Sequence, residues 1–377
     1  MDHITCVNGS VLKWARLSSG KLDQKFYIEN IDRIRKWEDG NEYPTYSQLE
    51  KLAEIYKKPV AIFFFPNPPV VDNYQTNFRT MSEVEISDIP YKVVRLINEA
   101  LVMKLNLYEL NDGQNPAGYL IHKRYSWYKG RNLNKELREI LNVPIERQIK
   151  INSSKEMFEI WRDAFYSIGI NVFKEAFYDI NTSGFCIFDD EFPIIYINNS
   201  MSYTRQIFTL FHEFYHLINK TGGIDKIKDT FNYPLSEDQL SIEKNCNSFA
   251  AEFLIPSDHL LSDIANTNIT LDFVKNLAIR YCVSRESLIL KLISLDKLSW
   301  DFYNQYIDDI NDDFYRNKPK TNGGNYYNTL VSYLGNNYLK LAFSAYKANK
   351  IDEYQLSQYT KVKINYLSAL ENAWGWK

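Results

Sequence analysis

The segment "TLFHEFYHLI", residues 209–218, constrains the fold more than any other stretch of the chain. Apolar residues recur in and just before it at helical spacing, which predicts an amphipathic α-helix. Its expected buried face comprises Ile207, Leu210, Phe211, Phe214 and Leu217. His212 and His216 are four residues apart, so on this helix their side chains lie about 40° out of line and roughly 6 Å apart along the axis. The two imidazoles can therefore bind the same metal ion.

The glutamate that follows the first histidine adds a second chemical group. Neutral imidazoles are good zinc ligands and bind at about 2.0–2.1 Å. Glu213 is rotated by about 100° from His212, so it is expected at the edge of the site, where its carboxylate can accept a proton from water. Only five histidines occur in 377 residues, and two of them form this pattern. The spacing matches the HExxH motif of zinc peptidases.

A catalytic zinc site needs a third protein ligand and one open position. Glu243 lies on the next predicted helix, and an antiparallel pair of helices would bring it to the metal. Glu237, Glu252 and His259 are alternatives. Geometry favours Glu243, because Glu252 is expected on the other side of its helix and His259 follows the break at Pro256.

Length and composition indicate a soluble globular protein with more than one domain. A chain of 377 residues exceeds the usual size of one domain, and 45% hydrophobic against 24% charged residues is enough to build a core. The net charge of −3 excludes a globally basic nucleic-acid coat protein. The four cysteines form no CxxC pair, the N-terminal segment has no apolar h-region, and the apolar runs are too short to cross a bilayer. We therefore expect a cytoplasmic protein without membrane contact.

The N-terminal part of the chain predicts a small all-helical unit. Ile31, Ile34 and Trp37 fall at helical spacing, and Gly40 is expected to end that helix. Thr45 is a suitable N-cap for the next helix. The expected buried stripe of that helix is Leu49, Leu52, Ala53 and Tyr56.

The end of this unit is marked by an aromatic run and by prolines. Trp37 and the "FFF" run at 63–65 are expected to lie in the core. The three prolines of "FPNPPVVDN" indicate a linker or a domain edge.

The remaining sequence predicts further helices around a small sheet. Helical patterns cover 87–110, "NKELREILNVP" and "SKEMFEIWRDAFYSIGI", whereas "INVFKEA" and "SGFCIFDDEFPIIYIN" read as strands with a tight turn at "DDE". Helical periodicity returns at Thr204, stops at Pro256, and continues as a helix pair over 271–295. A loop at "RNKPKTNGGNYYN" precedes two amphipathic helical stretches. The fold class is α+β and predominantly helical.

The run "GINVF…SGFCIFDDEFPIIYINNSMSYTRQIFTLFHEFYHLI…IEKNCNSFAAEFLIP" resembles the ImmA/IrrE zinc metallopeptidases. The resemblance implies a zincin-like domain with one Zn²⁺ per chain. It implies that His212, His216 and Glu243 are the zinc ligands and that Glu213 is the catalytic glutamate. Arg205 matches a position that the family usually keeps basic. Helix capping, orientation of a carboxylate and substrate contact are all open roles for it.

A second resemblance concerns the N-terminal segment "WEDGNEYPTYSQLEKLAEIYKKPVAIFFFPNPP", which looks like the XRE-type helix-turn-helix domain often fused to these peptidases. Together the two resemblances imply an XRE-like domain over 1–70, a helical connector over 71–150, a peptidase domain over 151–298 and a helical C-terminal region over 299–377. The sequence departs from the helix-turn-helix pattern, because "GKLDQKFYIENIDRIRKWEDG" is a few residues short. DNA contact would depend on a local cluster of Arg33, Arg35 and Lys36, and docking of a protein partner is the alternative.

The interpretation of function follows from these features. We expect a zinc-dependent endopeptidase whose substrate is an XRE-type repressor or an antitoxin-type regulator, as the family resemblance implies. Tyr203, or another residue near Asn198, is a candidate for stabilising the oxyanion, and an extended substrate is expected to pair with "PIIYIN" as an edge strand. The alternative is a non-catalytic XRE-type regulator or antitoxin-like binding protein with a structural zinc site. We expect the helix pair over 271–295 to pack against the helices of the peptidase domain.

Overall fold

A computed structural model describes residues 3–17, 24–56, 58, 60–68, 91–118, 133–177, 181–220, 223–226, 237–265, 267–307 and 325–375. The chain divides into two compact units. The first unit contains residues 1–76 and 84–97, and the second contains 77–83 and 98–377. The predicted division into four domains remains a prediction.

The N-terminal unit is built from short helices around a small apolar core. Its helices are α1 (Gly9–Leu17), α2 (Gln24–Glu38), α3 (Tyr46–Tyr56) and a 3-10 turn over Val60–Phe64. The predicted stripe of α3 is buried, namely Leu49, Leu52, Ala53 and Tyr56. The Arg16 guanidinium joins α1 to α2 by donating from Nε and Nη2 to both carboxylate oxygens of Glu38, at 2.6 and 2.8 Å.

The prediction for the aromatic residues of this unit is correct only in part. Trp37 and Phe63 are buried in the core, as expected. Phe64 and Phe65 are 39% and 47% exposed, so placing the whole run in the core was wrong. The reason is the 3-10 turn, which directs successive side chains to different sides and leaves only one of the three facing inward.

The helices of the remaining chain include those predicted from periodicity and two short ones that were not predicted, over Ile145–Gln148 and Ser257–Asp263. The bounds are α4 (Tyr91–Leu110), α5 (Leu133–Ile140), α6 (Ile145–Gln148), α7 (Ser154–Ser167), α8 (Tyr203–Ile218), α9 (Glu237–Leu254), α10 (Ser257–Asp263), α11 (Leu271–Tyr281), α12 (Arg285–Ser294), α13 (Tyr326–Leu334), α14 (Asn336–Lys347), α15 (Glu353–Thr360) and α16 (Leu367–Trp374). The predicted start of α4 at 87–90 lies outside the described residues. The fold is therefore predominantly helical α+β, as predicted. No helix in the described ranges is long and apolar enough to span a membrane.

Four strands form one mixed sheet in the second unit. They are β1 (Asn171–Glu175), β2 (Thr182–Ile187), β3 (Ile194–Asn198) and β4 (Gly223–Lys226), in the order β1-β3-β2-β4. β1 and β3 are parallel, whereas β2 is antiparallel to both β3 and β4. The predicted "DDE" turn is present, since the Asp189 carboxylate accepts hydrogen bonds from the amides of Glu191 and Phe192 at 2.9 Å.

The prediction that "PIIYIN" is an edge strand was wrong. This segment is β3, which pairs with β1 on one side and β2 on the other. All five of its residues are buried, as expected for a central strand covered on both faces. A continuous apolar run is more typical of a strand with two neighbours than of an edge strand, which usually carries polar residues.

Helix α8 lies directly on the sheet because one strand residue lacks a side chain there. A Cβ atom added at Gly184 would lie 2.6 Å from Cγ2 of Thr209 and 2.8 Å from the carbonyl oxygen of Tyr196. Both distances are below normal van der Waals contact, so glycine permits this close approach of helix and strand. On its other side α8 packs against α7 and α9 through an aromatic cluster of Trp161, Phe211 and Phe253, with ring centroids 4.4 to 5.7 Å apart.

The C-terminal region contains more helices than the two predicted stretches. The breaks occur at Gly335, which has φ of +84°, and at Asp352, whose side chain caps α15 in a capping box with Gln355. Helix α13 also begins at Tyr326, inside the segment expected to be a loop. Most of that loop lies in 308–324, outside the described residues.

Candidate metal centre

Helix α8 presents its two histidines and the glutamate between them from within the core. The helix begins after Ser202, whose hydroxyl accepts a hydrogen bond from the amide of Arg205 at 3.3 Å as a regular N-cap. His212, Glu213 and His216 are only 1%, 0% and 2% exposed. Burying a carboxylate and two imidazoles on one helix is costly unless a charge or a metal ion compensates them. The burial of these three residues therefore points to a functional site.

Helix α9 brings a carboxylate to both imidazoles. The Nε2 atom of His212 lies 3.2 Å from Oε2 of Glu243, and Nε2 of His216 lies 3.4 Å from Oε1 of the same residue. The two imidazole centroids are 5.1 Å apart. The Glu243 side chain is 31% exposed, so this side of the cluster opens to solvent.

These distances fit a shared zinc ion. Ligand atoms bound to zinc at about 2.0–2.3 Å with tetrahedral angles lie roughly 3.3–3.6 Å from each other. The two nitrogen–oxygen distances of 3.2 and 3.4 Å are close to that range. Two neutral imidazoles and a carboxylate are also a suitable set of donors for zinc. The residues present thus fit the metal that the motif implies.

A neighbouring amide orients the first imidazole. Nδ1 of His212 lies 3.1 Å from Oδ1 of Asn247, one turn after Glu243 on α9. An amide oxygen only accepts hydrogen bonds, so this contact places the proton on Nδ1 and the lone pair on Nε2. Such a hydrogen bond fixes the tautomer that a metal requires.

A cysteine groups with the two histidines and was not expected from the sequence. The ligand atoms of His212, His216 and Cys246 all lie within 4.8 Å of one another. The Cys246 Sγ atom is 3.4 Å from Nε2 of His216 and is fully buried. One signal was present in the sequence, since residues 243, 246 and 247 are three and four apart and therefore share one face of α9. With Glu243 directed at the imidazoles, its two neighbours on the same face of α9 lie at the site as well.

The ionisation of Glu243 depends on two opposing effects. Burial favours the neutral acid, but when the two imidazoles are protonated, as they can be without a metal ion, their Nε2–H groups and positive charge outweigh burial and lower the pKa of Glu243 well below its ordinary value. The carboxylate is therefore ionised at neutral pH, which is the form that binds a cation.

The alternative ligands from the sequence analysis have other partners. Glu252 accepts hydrogen bonds from Ser257 and Lys291, on the side of α9 away from the imidazoles. His259 is 2.6 Å from the hydroxyl of Tyr281. Glu237 is exposed at the start of α9. Of the four candidates, the structure places only Glu243 against both histidines.

The two other candidate residues on α8 occupy different faces. Tyr203 is nine residues before His212, which turns it to the opposite face of the helix. Its ring packs on Phe158 with centroids 6.1 Å apart and lies under the Lys174 ammonium at 5.0 Å. Such a position does not favour an oxyanion role for Tyr203.

Arg205 is seven residues before His212 and so shares the face that carries the imidazole, about 10 Å along the helix axis. Its Nε and Nη2 atoms donate to the Ser183 hydroxyl at 3.1 and 2.9 Å. This contact ties the guanidinium to β2. The position of the guanidinium on the imidazole face of α8 is compatible with a contact to substrate.

In the N-terminal unit, the basic cluster of α2 is on the surface. Arg33, Arg35 and Lys36 are all exposed. Lys36 forms an ion pair with Glu42 at 2.7 Å, which offsets one of the three charges. Two arginines thus carry most of the positive charge that could attract a phosphate or an acidic partner.

Residues 166–292 match the family model described as the IrrE N-terminal-like domain, a peptidase family. The match spans the sheet, α8 and α9, and so contains all the residues of the metal cluster. The chain therefore carries a metallopeptidase-type domain of the ImmA/IrrE kind with a buried His-His-Cys group. The N-terminal helical unit lies outside the match, and a comparison with curated proteins gave no match.

Proposed function

We infer that this protein is a zinc-dependent endopeptidase of the HExxH type. The observation that carries the inference is the pair of buried imidazoles on α8, each within 3.4 Å of a Glu243 oxygen on α9. Glu213 follows His212 directly in the sequence, and its fully buried carboxylate is the kind of group that transfers protons in such a site. One zinc ion would be held by His212, His216 and Glu243.

The chain's own groups divide the chemistry between them. When bound, zinc supplies a Lewis acid that polarises the scissile carbonyl and brings the pKa of water close to neutrality. Glu213 accepts the proton of the attacking water at its carboxylate and then donates it to the leaving amine. Asn247 keeps the His212 imidazole in the required tautomer. The apolar packing of α8 on the sheet excludes bulk water from the far side of the site.

An extended substrate would pair with β4 in this proposal. Among the described strands, β1 and β4 form the two edges of the sheet. The β1 edge is blocked, because Arg162 bridges the carbonyl of Val172 in β1 to the carbonyls of Ser332 and Tyr333 in α13 at 2.7 to 2.8 Å. β4 follows α8 directly and offers a second edge for main-chain hydrogen bonds.

The proposal extends to the substrate class. The proposed substrate is a regulatory protein, an XRE-type repressor or an antitoxin. The helical N-terminal unit would bind either that protein or its DNA site, with Arg33 and Arg35 providing exposed charge. Support for this part is the family resemblance and the exposure of the basic cluster.

The test compares Glu213→Gln with the wild-type protein. Glutamine keeps the shape but cannot accept a proton, so the variant should retain zinc and lose about 10²–10⁴-fold in the rate of cleavage. Glu252→Gln is the matched control, because Glu252 is a half-buried carboxylate on α9 that contacts Ser257 and Lys291 instead. Zinc content is measured by elemental analysis, and cleavage with casein and with an XRE-type repressor.

If neither substrate is cut by the zinc-loaded wild type, or if the wild type and Glu213→Gln behave identically, the endopeptidase proposal fails. Equal regulatory phenotypes for the two proteins would then favour the non-catalytic regulator.

A further inference from the structure

Apolar packing alone does not explain where the Cys246 thiol lies. A free cysteine usually behaves as a small apolar side chain. Here its Sγ atom lies 3.4 Å from Nε2 of His216, the same nitrogen that lies 3.4 Å from Glu243. That sulfur–nitrogen distance is close to the roughly 3.3–3.6 Å that separates two ligand atoms on one tetrahedral zinc. The thiol therefore lies where a further metal ligand would be.

The other buried cysteines provide a contrast. Cys282 donates its S–H to the carbonyl of Ile151 at 3.2 Å, and burial raises the pKa of its thiol to about 11. It remains a protonated thiol in a structural contact. Cys186 is buried within β2. Within the part of the chain that the structure describes, Cys246 is the one cysteine that groups with the two histidines.

We propose that the Cys246 thiolate is a fourth protein ligand of the metal and that the site alternates between a closed form with four protein ligands and an open form with three. This inference rests on the proposed function, because it concerns regulation of the same metal site. In the closed form, Cys246 takes the position that substrate and water need. A catalytic zinc site requires one open position, so the closed form is inactive.

The change between the two forms needs no oxidant. On closing, the S–H bond of Cys246 breaks, its proton passes to solvent, and sulfur donates an electron pair to the cation while a solvent molecule leaves. Opening reverses each step. A substrate that binds only the open form shifts the population toward it.

This arrangement predicts two effects of opposite sign for one substitution. Cys246→Ala should lower the affinity for zinc, because one ligand is lost. It should also raise the rate of cleavage, because the competing closed form disappears. If the closed form holds about nine in ten molecules, the rate increases about tenfold. A cysteine that only fills space would not produce a gain in rate together with a loss of affinity.

X-ray absorption at the zinc edge of the full-length, zinc-loaded protein tests the coordination directly. The wild type should show one sulfur neighbour at about 2.3 Å beside the nitrogen and oxygen neighbours. Cys246→Ala should lose that sulfur, and Cys282→Ala should keep it. Circular dichroism checks that both variants are folded, and the wild-type spectrum alone decides the matter if a variant does not fold.

The outcomes for this inference and for the endopeptidase proposal are separate. Zinc with only nitrogen and oxygen neighbours in the wild type overturns the inference, even if the protein cuts its substrate. A sulfur neighbour that persists in Cys246→Ala also overturns it. A sulfur neighbour that depends on Cys246, together with no cleavage by any variant, supports the coordination and contradicts the peptidase.

Discussion

The amide oxygen of Asn247 lies 3.1 Å from Nδ1 of His212, and this single contact selects which imidazole nitrogen can face a metal ion. Asn247 is four residues after Glu243, so the residue that orients the histidine and the residue that contacts both histidines belong to one face of α9. The candidate metal centre thus combines residues from two helices, α8 and α9.

The first prediction concerns this orientation. Asn247→Ala should weaken zinc binding about 10–100-fold, the usual cost of losing a hydrogen bond to a metal-binding histidine. Competition with a zinc chelator measures the change. Asn245→Ala is the control, because it lies on the same helix two residues earlier and therefore on a different face. An unchanged affinity in Asn247→Ala would show that the contact does not position His212.

The second prediction concerns the third ligand. Glu243→Gln should reduce zinc affinity by more than the roughly 10–100-fold expected for a residue that only supports a ligand. Glu252→Gln should bind zinc like the wild type, although loss of its contacts with Ser257 and Lys291 lowers stability. Isothermal titration gives both affinities. Equal losses in the two variants would remove Glu243 from the ligand set.

Much of this site could be predicted from the sequence, for identifiable reasons. The 3.6-residue period placed His212 and His216 on one face of α8, and their rarity in the chain made the pair conspicuous. The same period indicated α9. It favoured Glu243 over Glu252 as the residue facing the site, but it did not fix which other residues of α9 contact α8, because that depends on how the two helices pack. Cys246 and Asn247 were therefore missed, although both follow once Glu243 is known to face the site.

The errors in the fold have a similar cause. The strands were predicted from their residues, but the order of strands in a sheet depends on long-range pairing, so β3 was mistaken for an edge. The 3-10 turn that exposes Phe64 and Phe65 follows a period different from that of an α-helix. In the C-terminal region, two helical stretches were predicted where the structure has more helices, because apolar residues continue at helical spacing on both sides of a break such as Gly335.

The third prediction concerns the contact of α8 with the sheet. Gly184→Ala should destabilise the protein by about 1–3 kcal/mol, because the added Cβ would lie 2.6 Å from Thr209 and 2.8 Å from the backbone oxygen of Tyr196. Gly118→Ala is the matched control, since its Cβ would meet nothing closer than 3.5 Å. Urea unfolding gives the free energies. A loss in the control as large as that in Gly184→Ala would refute the steric explanation.

The fourth prediction separates a substrate contact from a structural role for Arg205. If its guanidinium binds the substrate, Arg205→Ala should raise KM about tenfold, equivalent to roughly 1.4 kcal/mol, and leave kcat nearly unchanged. Ser183→Ala removes the hydroxyl that anchors the guanidinium but keeps the charge. A change in unfolding free energy shared by both variants, without any change in KM, would assign Arg205 a structural role only.

The fifth prediction concerns pH and a buried lysine beneath α8. The Lys174 side chain is fully buried, with its ammonium 4.6 Å from the Phe158 ring centre and 3.5 Å from a carboxylate oxygen of Glu159. Burial lowers the pKa of Lys174 from 10.5 to about 8, despite the nearby Glu159. A base with a lower pKa in the folded state binds fewer protons there than when unfolded. Its destabilising effect is therefore complete below pH 8 and disappears as the pH rises toward 10.5.

Between about pH 8 and pH 10.5, the free energy of unfolding of the wild type should therefore rise relative to that of Lys174→Met. The pKa falls by about two and a half units, each worth about 1.4 kcal/mol, so the full change is about 3–4 kcal/mol. The comparison cancels the tyrosines that also titrate at high pH, because they are present in both proteins. Urea unfolding at several pH values between 7 and 10.5 provides the measurement, with Lys135→Met, at an exposed position, as the control. A difference that stays constant with pH would mean that Lys174 keeps its ordinary pKa, with the Glu159 carboxylate compensating the burial of the ammonium.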